Sequence, residues 1–164
     1  MRSRNADLRA VAGALAMLLG ACDAPPSSAA PDDAGRESAP SFELTVGTGR
    51  DAFEELDAEG TLVLERGSQG LQHVYVSLRA PIPEGLHMID VSLVRGGRAL
   101  SAPTRISAPF LAIPGEDLVE LVGQLVVVPE PDGATDGTPS TLRARVEPLG
   151  GGHGEVEREV RLRW

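Results

Sequence analysis

From position 42 onward the chain alternates apolar and polar residues in short runs broken by glycine and proline. Phe42, Leu44 and Val46 share one face of FELTV, and TLVLE follows from Thr61. In HVYVSL, Val74, Val76 and Leu78 fall on one side, with His73, Tyr75 and Ser77 on the other. HMIDVSLV alternates around Ile89, Val91 and Leu93, and Gly96-Gly97 then supplies a turn. RISAPFLAI holds Pro109, which cannot donate to a ladder and suits a sheet edge or a bulge. ELVGQLVVV is apolar on both faces and predicts a central strand, whereas TLRARVE alternates cleanly and EVEREVRLRW sets Val156, Val160, Leu162 and Trp164 among charges. A period of two is the signature of a strand with one buried face. Eight such runs with frequent turn residues and no amphipathic helix predict an all-β domain, a sandwich or a barrel.

The closest architectural analogy is an immunoglobulin-like or fibronectin-like antiparallel β-sandwich of about 7–9 strands. Cys22 is the only cysteine, so the antibody-type Cys…Trp…Cys pattern is absent and the analogy extends to architecture alone. No internal repeat is visible. A domain spanning 42–164 is large enough to be held by its core without disulfides.

The N-terminal pattern differs. MRSRNADLR carries Arg2, Arg4 and Arg9, followed by the apolar run AVAGALAMLL, too short to span a bilayer, which takes roughly 20 residues. This reads as a secretory signal over 1–21. Leu19-Gly20-Ala21-Cys22 resembles the lipobox of bacterial lipoproteins. The resemblance covers only the signal segment. It implies recognition of Leu19, Gly20 and Ala21 by the signal peptidase, cleavage before Cys22, and acylation of the Cys22 thiol and its new amino terminus. Several acyl chains together hold a protein stably on a membrane. From 22 to 41 the chain is rich in Pro, Ala, Ser and Asp without hydrophobic periodicity, as in a flexible tether. Asp23 resembles the inner-membrane retention signal of enterobacterial lipoproteins. Other lineages read that position differently, so both the inner and the outer membrane stay open. The implied location is the cell envelope, with the domain in the periplasm or at the cell surface.

Charge narrows the partners. The formal net charge is −9, and removing 1–21, with three arginines against one aspartate, takes it to −11. Every basic residue is an arginine and none forms a stripe, which disfavours nucleic acid. With Cys22 lipidated, no thiol is left for a disulfide, a zinc site or a nucleophile.

The candidate chemistry is sparse. Gly47-x-Gly49-x-x-Ala52 after a strand resembles a dinucleotide-binding fingerprint. However, the stretch from Asp51 to Ala58 is too short for a crossover helix, and Asp51, Glu54 and Glu55 would repel a pyrophosphate. Asp51, Glu54, Glu55, Asp57 and Glu59 offer carboxylates for calcium, but without EF-hand order they read as a solvated acidic loop or one helical turn. PEPDGATDG, with Asp132 and Asp136 beside glycines, reads as a long hairpin loop. His153 sits in the GGHG turn. No G-x-S-x-G elbow and no carboxylate pair beside a histidine is present, so no catalytic residue, cofactor or metal site is assigned and the chain is not read as an enzyme.

The expectation is therefore a membrane-anchored lipoprotein whose sandwich serves a non-catalytic binding or structural role, with an envelope protein or a glycan as partner. Two alternatives remain open. One is an envelope copper-binding protein using His73 with His87 or Met88, since imidazole and thioether suit that metal. The other is a glycan- or small-ligand-binding sandwich in which Tyr75 and Trp164 stack. The candidate surface site is the turn RGSQG and the strand after it, where alternation sends His73 and Tyr75 to the outer face beside Gln69.

Overall fold

The structure, a computed structural model, describes residues 40–129, 136–137 and 139–164. The chain divides into two units, Met1–Arg36 and Glu37–Trp164, and every described residue belongs to the second. Leu19, Gly20, Ala21, Cys22, the proposed tether to Ala39 and Asp132 lie outside the described residues.

The described chain is all-β. Its strands are β1 (Thr45–Thr48), β2 (Glu54–Glu55), β3 (Thr61–Val63), β4 (Glu65–Arg66), β5 (Gln72–Ala80), β6 (Gly85–Arg95), β7 (Arg98–Ala99), β8 (Thr104–Ala112), β9 (Val119–Val128), β10 (Pro139–Pro148) and β11 (Gly154–Arg163). All eight expected runs form strands. The additional ones, β2, β4 and β7, are two-residue segments at hairpins and turns.

Nine of the strands follow one path, β2-β1-β5-β9-β8-β6-β10-β11-β3, which curls into two layers at β8, while β4 pairs with β5 and β7 with β6 off that path. Thr104–Phe110 pair with β6, and then Leu111 and Ala112 pair with Glu120 and Val119 of β9. Pro109 sits just before that change of partner, on a strand whose other side is open. The order β1-β5-β9 opposite β11-β10-β6, with β8 joining the two layers, follows the A-B-E and G-F-C strand order of an immunoglobulin-like sandwich. All pairings between the described strands are antiparallel except the short parallel one between β3 and β11.

The core lies between the layers. Val74, Val76 and Leu78 of β5 and Val126 and Val128 of β9 face Ile89, Val91 and Leu93 of β6. Leu142, Ala144 and Val146 of β10 and Val160 and Leu162 of β11 complete it, with Phe110 as its fully buried aromatic side chain. Each fully buried side chain of the Val, Leu or Phe kind contributes about 1.5–3 kcal/mol, so the core needs no cross-link.

Three local expectations change. The first strand begins at Thr45 rather than Phe42, because residues 40–42 first lie along the start of β11. His153 N donates to Pro40 O at 3.1 Å, and Phe42 N donates to His153 O at 3.2 Å. GGHG is thus a seat for the incoming chain: a Cβ on Gly154 would stand inside the Phe42 ring. Second, β9 is not buried on both faces. A bulge opposite Ser77 shifts its phase, so Leu121 and Val126 both point inward while Leu125 is 39% exposed. Third, the glycines of Gly47-x-Gly49-x-x-Ala52 serve a β-hairpin. Gly47 pairs with Glu55, and a Cβ there would collide with the Glu54 carbonyl and the Phe53 ring.

Candidate functional site

Residues 48–55 leave β1 and arch back over the outer face of β5. Ser77, fully buried on that face, clasps the arch: its Oγ donates to Gly49 O at 3.2 Å and accepts from Gly123 N at 3.1 Å. Thr48 Oγ1 donates to Tyr75 O at 3.1 Å. The Arg79 guanidinium lies 4.1 Å from the centre of the Phe53 ring and bonds Glu120 through Nε and Nη2. Gly123 has φ +70°, and a Cβ there would meet Arg50 O, so the bulge in β9 and the arch require each other.

His73 and Tyr75 do come together on this face, with ring centroids 5.2 Å apart in an edge-on arrangement. Yet His73 is only 8% exposed, and so is not a surface ligand. The RGSQG turn folds over it: Gly67 N donates to Leu71 O at 2.8 Å, Gly70 N donates to Gly67 O at 2.9 Å, and Gly70 takes φ +80°. A Cβ at Gly67 would sit in contact with the His73 ring. Nε2 of His73 stands 4.0 Å from Glu65 Oε2. Gln69 is exposed in the turn. Tyr75 borders a shallow pocket with Arg50, Asp51, Glu54 and Val63, and the Arg50 guanidinium covers its ring at 5.7 Å. Trp164 is covered likewise by Arg66 at 5.3 Å, so each aromatic offered for stacking already carries a cation.

The histidines considered for copper stay apart. His73 opens β5 on the outer face, whereas His87 lies on the inner face of β6, just past the loop that leaves the far end of β5. Seven residues of strand, at about 3.3 Å each, put roughly 23 Å between them. Met88, the next residue, points to the opposite face from His87. Among the described residues no three His, Cys, Asp or Glu side chains gather as a metal site. Within the acidic stretch, Asp57 holds a turn together. Its Oδ1 accepts from Glu59 N at 3.0 Å and Thr61 N at 2.8 Å. Those hydrogen bonds, chiefly from Thr61, hold its carboxyl below the ordinary value of 3.8.

The outer face of β6, β10 and β11 is a charge ladder. Arg143 pairs with Glu157 at 2.8 Å, and Arg145 with Glu147 at 2.8 Å and with Glu155. Arg105 reaches Asp90 at 3.6 Å and Glu147 at 3.3 Å. The Glu147 hydrogen bond and the Glu155 charge raise the Arg145 pKa above its ordinary value. Each of these three arginines is thus engaged by at least one carboxylate.

A site that sequence reasoning missed lies at the end of the sandwich where β5 passes to β6 and β10 to β11. Residues 81–86, 148–151 and 40–42 border an open groove of about 550 Å³. Its walls are apolar: Phe42, Ile82, Leu86, Leu149 and four prolines, with Glu84 as the one acidic residue. Leu86 is 54% exposed and Leu149 80%. His87, 5% exposed, also lines the groove; its Nε2 sits 2.7 Å from Pro83 O, fixing that nitrogen as the donor, and its ring meets Phe110 edge-on. Nδ1 of His87 is then a buried acceptor with no hydrogen-bond partner. The sequence signal was leucine placed in Pro- and Gly-rich loops, PIPEGL and PLGGG, where polar residues are the norm.

No family model matches the chain, and no curated protein matches its sequence.

Proposed function

We propose that the chain is an exported lipoprotein, anchored through Cys22, whose sandwich binds an apolar partner segment without catalysis. The signal features and Leu19-Gly20-Ala21-Cys22 support the anchor and a place in the cell envelope. The observation that carries the binding role is the loop-end groove. Its volume falls in the ordinary range of about 300–1,000 Å³ for ligand pockets. Apolar walls formed by Phe42, Ile82, Leu86, Leu149 and four prolines suit an apolar, uncharged segment. The same end of an antibody variable domain carries its binding loops, which is a likeness of place only.

Two substitutions test this reading. Cys22→Ser should release the protein from membranes and abolish fatty-acid labelling; retention with unchanged labelling would refute the anchor. Leu149→Asp, at a side chain that supports no packing, should leave the fold intact and weaken capture of envelope partners by the full chain. Equal capture by both forms would remove the groove from consideration.

A further inference from the structure

We propose that the open edge of β9, Gln124–Val128, pairs antiparallel with the same edge of a second copy of this chain. Val119 and Glu120 are taken up by β8, which then leaves for the other layer. From Leu121 onward β9 has β5 on one side and, among the described residues, no strand on the other. An unpaired row of main-chain donors and acceptors is complementary to one thing above all, another extended strand.

The other edges are protected in the ways natural sheets use. β2 is two glutamates long, β3 is three residues, β7 is two and begins with Arg98, and the free side of β8 carries Arg105 and Pro109. Among the described edges only Gln-Leu-Val-Val-Val is longer than three residues and at once uncharged and free of proline. Its one visible device is the side chain of Gln124, whose Nε2 donates to the exposed Leu125 carbonyl at 3.0 Å. That amide occupies the place an incoming strand would take. Main-chain groups two residues apart point the same way along such a ladder, so Leu125 and Val127 offer their groups together.

A second copy is favoured over another edge by charge. Two β9 edges related by a two-fold axis set Leu and Val against Leu and Val, with no like charges opposed. Two β2 edges would set glutamate against glutamate. The edge argument stands without the lipid anchor. If the chain is anchored, sharing a membrane raises the local concentration of partners and favours the pair further.

Site-directed cross-linking of the full-length protein in intact cells tests this, whether or not the chain is anchored. Leu125→Cys and Val127→Cys are introduced singly and treated with a short thiol-specific bismaleimide, with Glu157→Cys on the charge ladder as control and the parent chain as blank. The expected result is a species of twice the chain mass at both β9 positions, several-fold above control and blank. Adding Leu125→Lys to the Val127→Cys chain opposes two lysines and should cut the yield several-fold; both positions are partly exposed, so folding is retained, as resistance to protease will show. Cross-linking no stronger than in the control would overturn the proposal. So would a product of another mass, which would mean that a different protein covers this edge.

Discussion

The two outer faces of the sandwich are built by opposite means. On the β6–β10–β11 layer, arginine and glutamate alternate with core residues and pair in the open, as Arg143–Glu157 and Arg145–Glu155 do. On the β1–β5–β9 layer, the chain covers itself: the arch at 48–55 and the RGSQG turn bury Ser77 and His73. A charged face stays solvated whatever its pairing. A face carrying Ser, His, Tyr and Leu needs a cover whose hydrogen bonds are complete, or it loses the desolvation cost of each polar group. The covered face should therefore be sensitive to single atoms and the charged face indifferent to whole side chains.

The sharpest way to break this contrast is Gly123→Val. A Cβ at φ +70° is strained, and here it also strikes the Arg50 carbonyl, so the arch must lift. The expected loss is about 3 kcal/mol or more, read as a lower urea midpoint with new proteolysis near Arg50. An unchanged midpoint would mean that the arch does not close on β9. Ser77→Ala removes one acceptor and one donor from the clasp and should cost about 1–3 kcal/mol. Because both changes release the same arch, the double variant should lose less than the two single losses combined. Strict additivity would show two independent clasps.

Arg145→Ala probes the charged face. Its pairs are exposed, so no shift of the urea midpoint beyond experimental error is expected. A loss as large as that of Ser77→Ala would end the contrast. A separate effect appears in acid. The Asp57 carboxyl has a folded pKa below 3.8, so its stabilisation is complete above that value and disappears as pH falls through the lower folded value. Asp57→Asn should flatten the stability profile below about pH 4 and leave it nearly parallel to the parent at neutral pH. A profile of unchanged slope would show that the Thr61 and Glu59 hydrogen bonds do not depend on charge.

Much of the fold was legible because a strand's faces repeat every two residues. Val74, Val76, Leu78, Ile89, Val91, Leu93, Leu142 and Val146 are all buried as their spacing predicts. The candidate site was far less legible. Alternation gave the face for His73 and Tyr75 but could not say that a turn would close over His73. In β9 the phase failed at the bulge, since Leu125 and Val126 look alike in sequence and one residue of slip decides which is inside. The groove was invisible for a different reason. Phe42, Ile82 and Leu149 come from three separate stretches, and only the folded loops bring them to one rim.

The sequence alone determined the all-β character and the core faces of β5, β6 and β10. Those are local properties, written in the period of the pattern or in adjacent residues. The tertiary structure decided which glycine meets which carbonyl, as Gly123 meets Arg50, where β8 changes partner, and that β9 is left with an open edge. These depend on contacts between residues distant in the chain, and no local pattern encodes them.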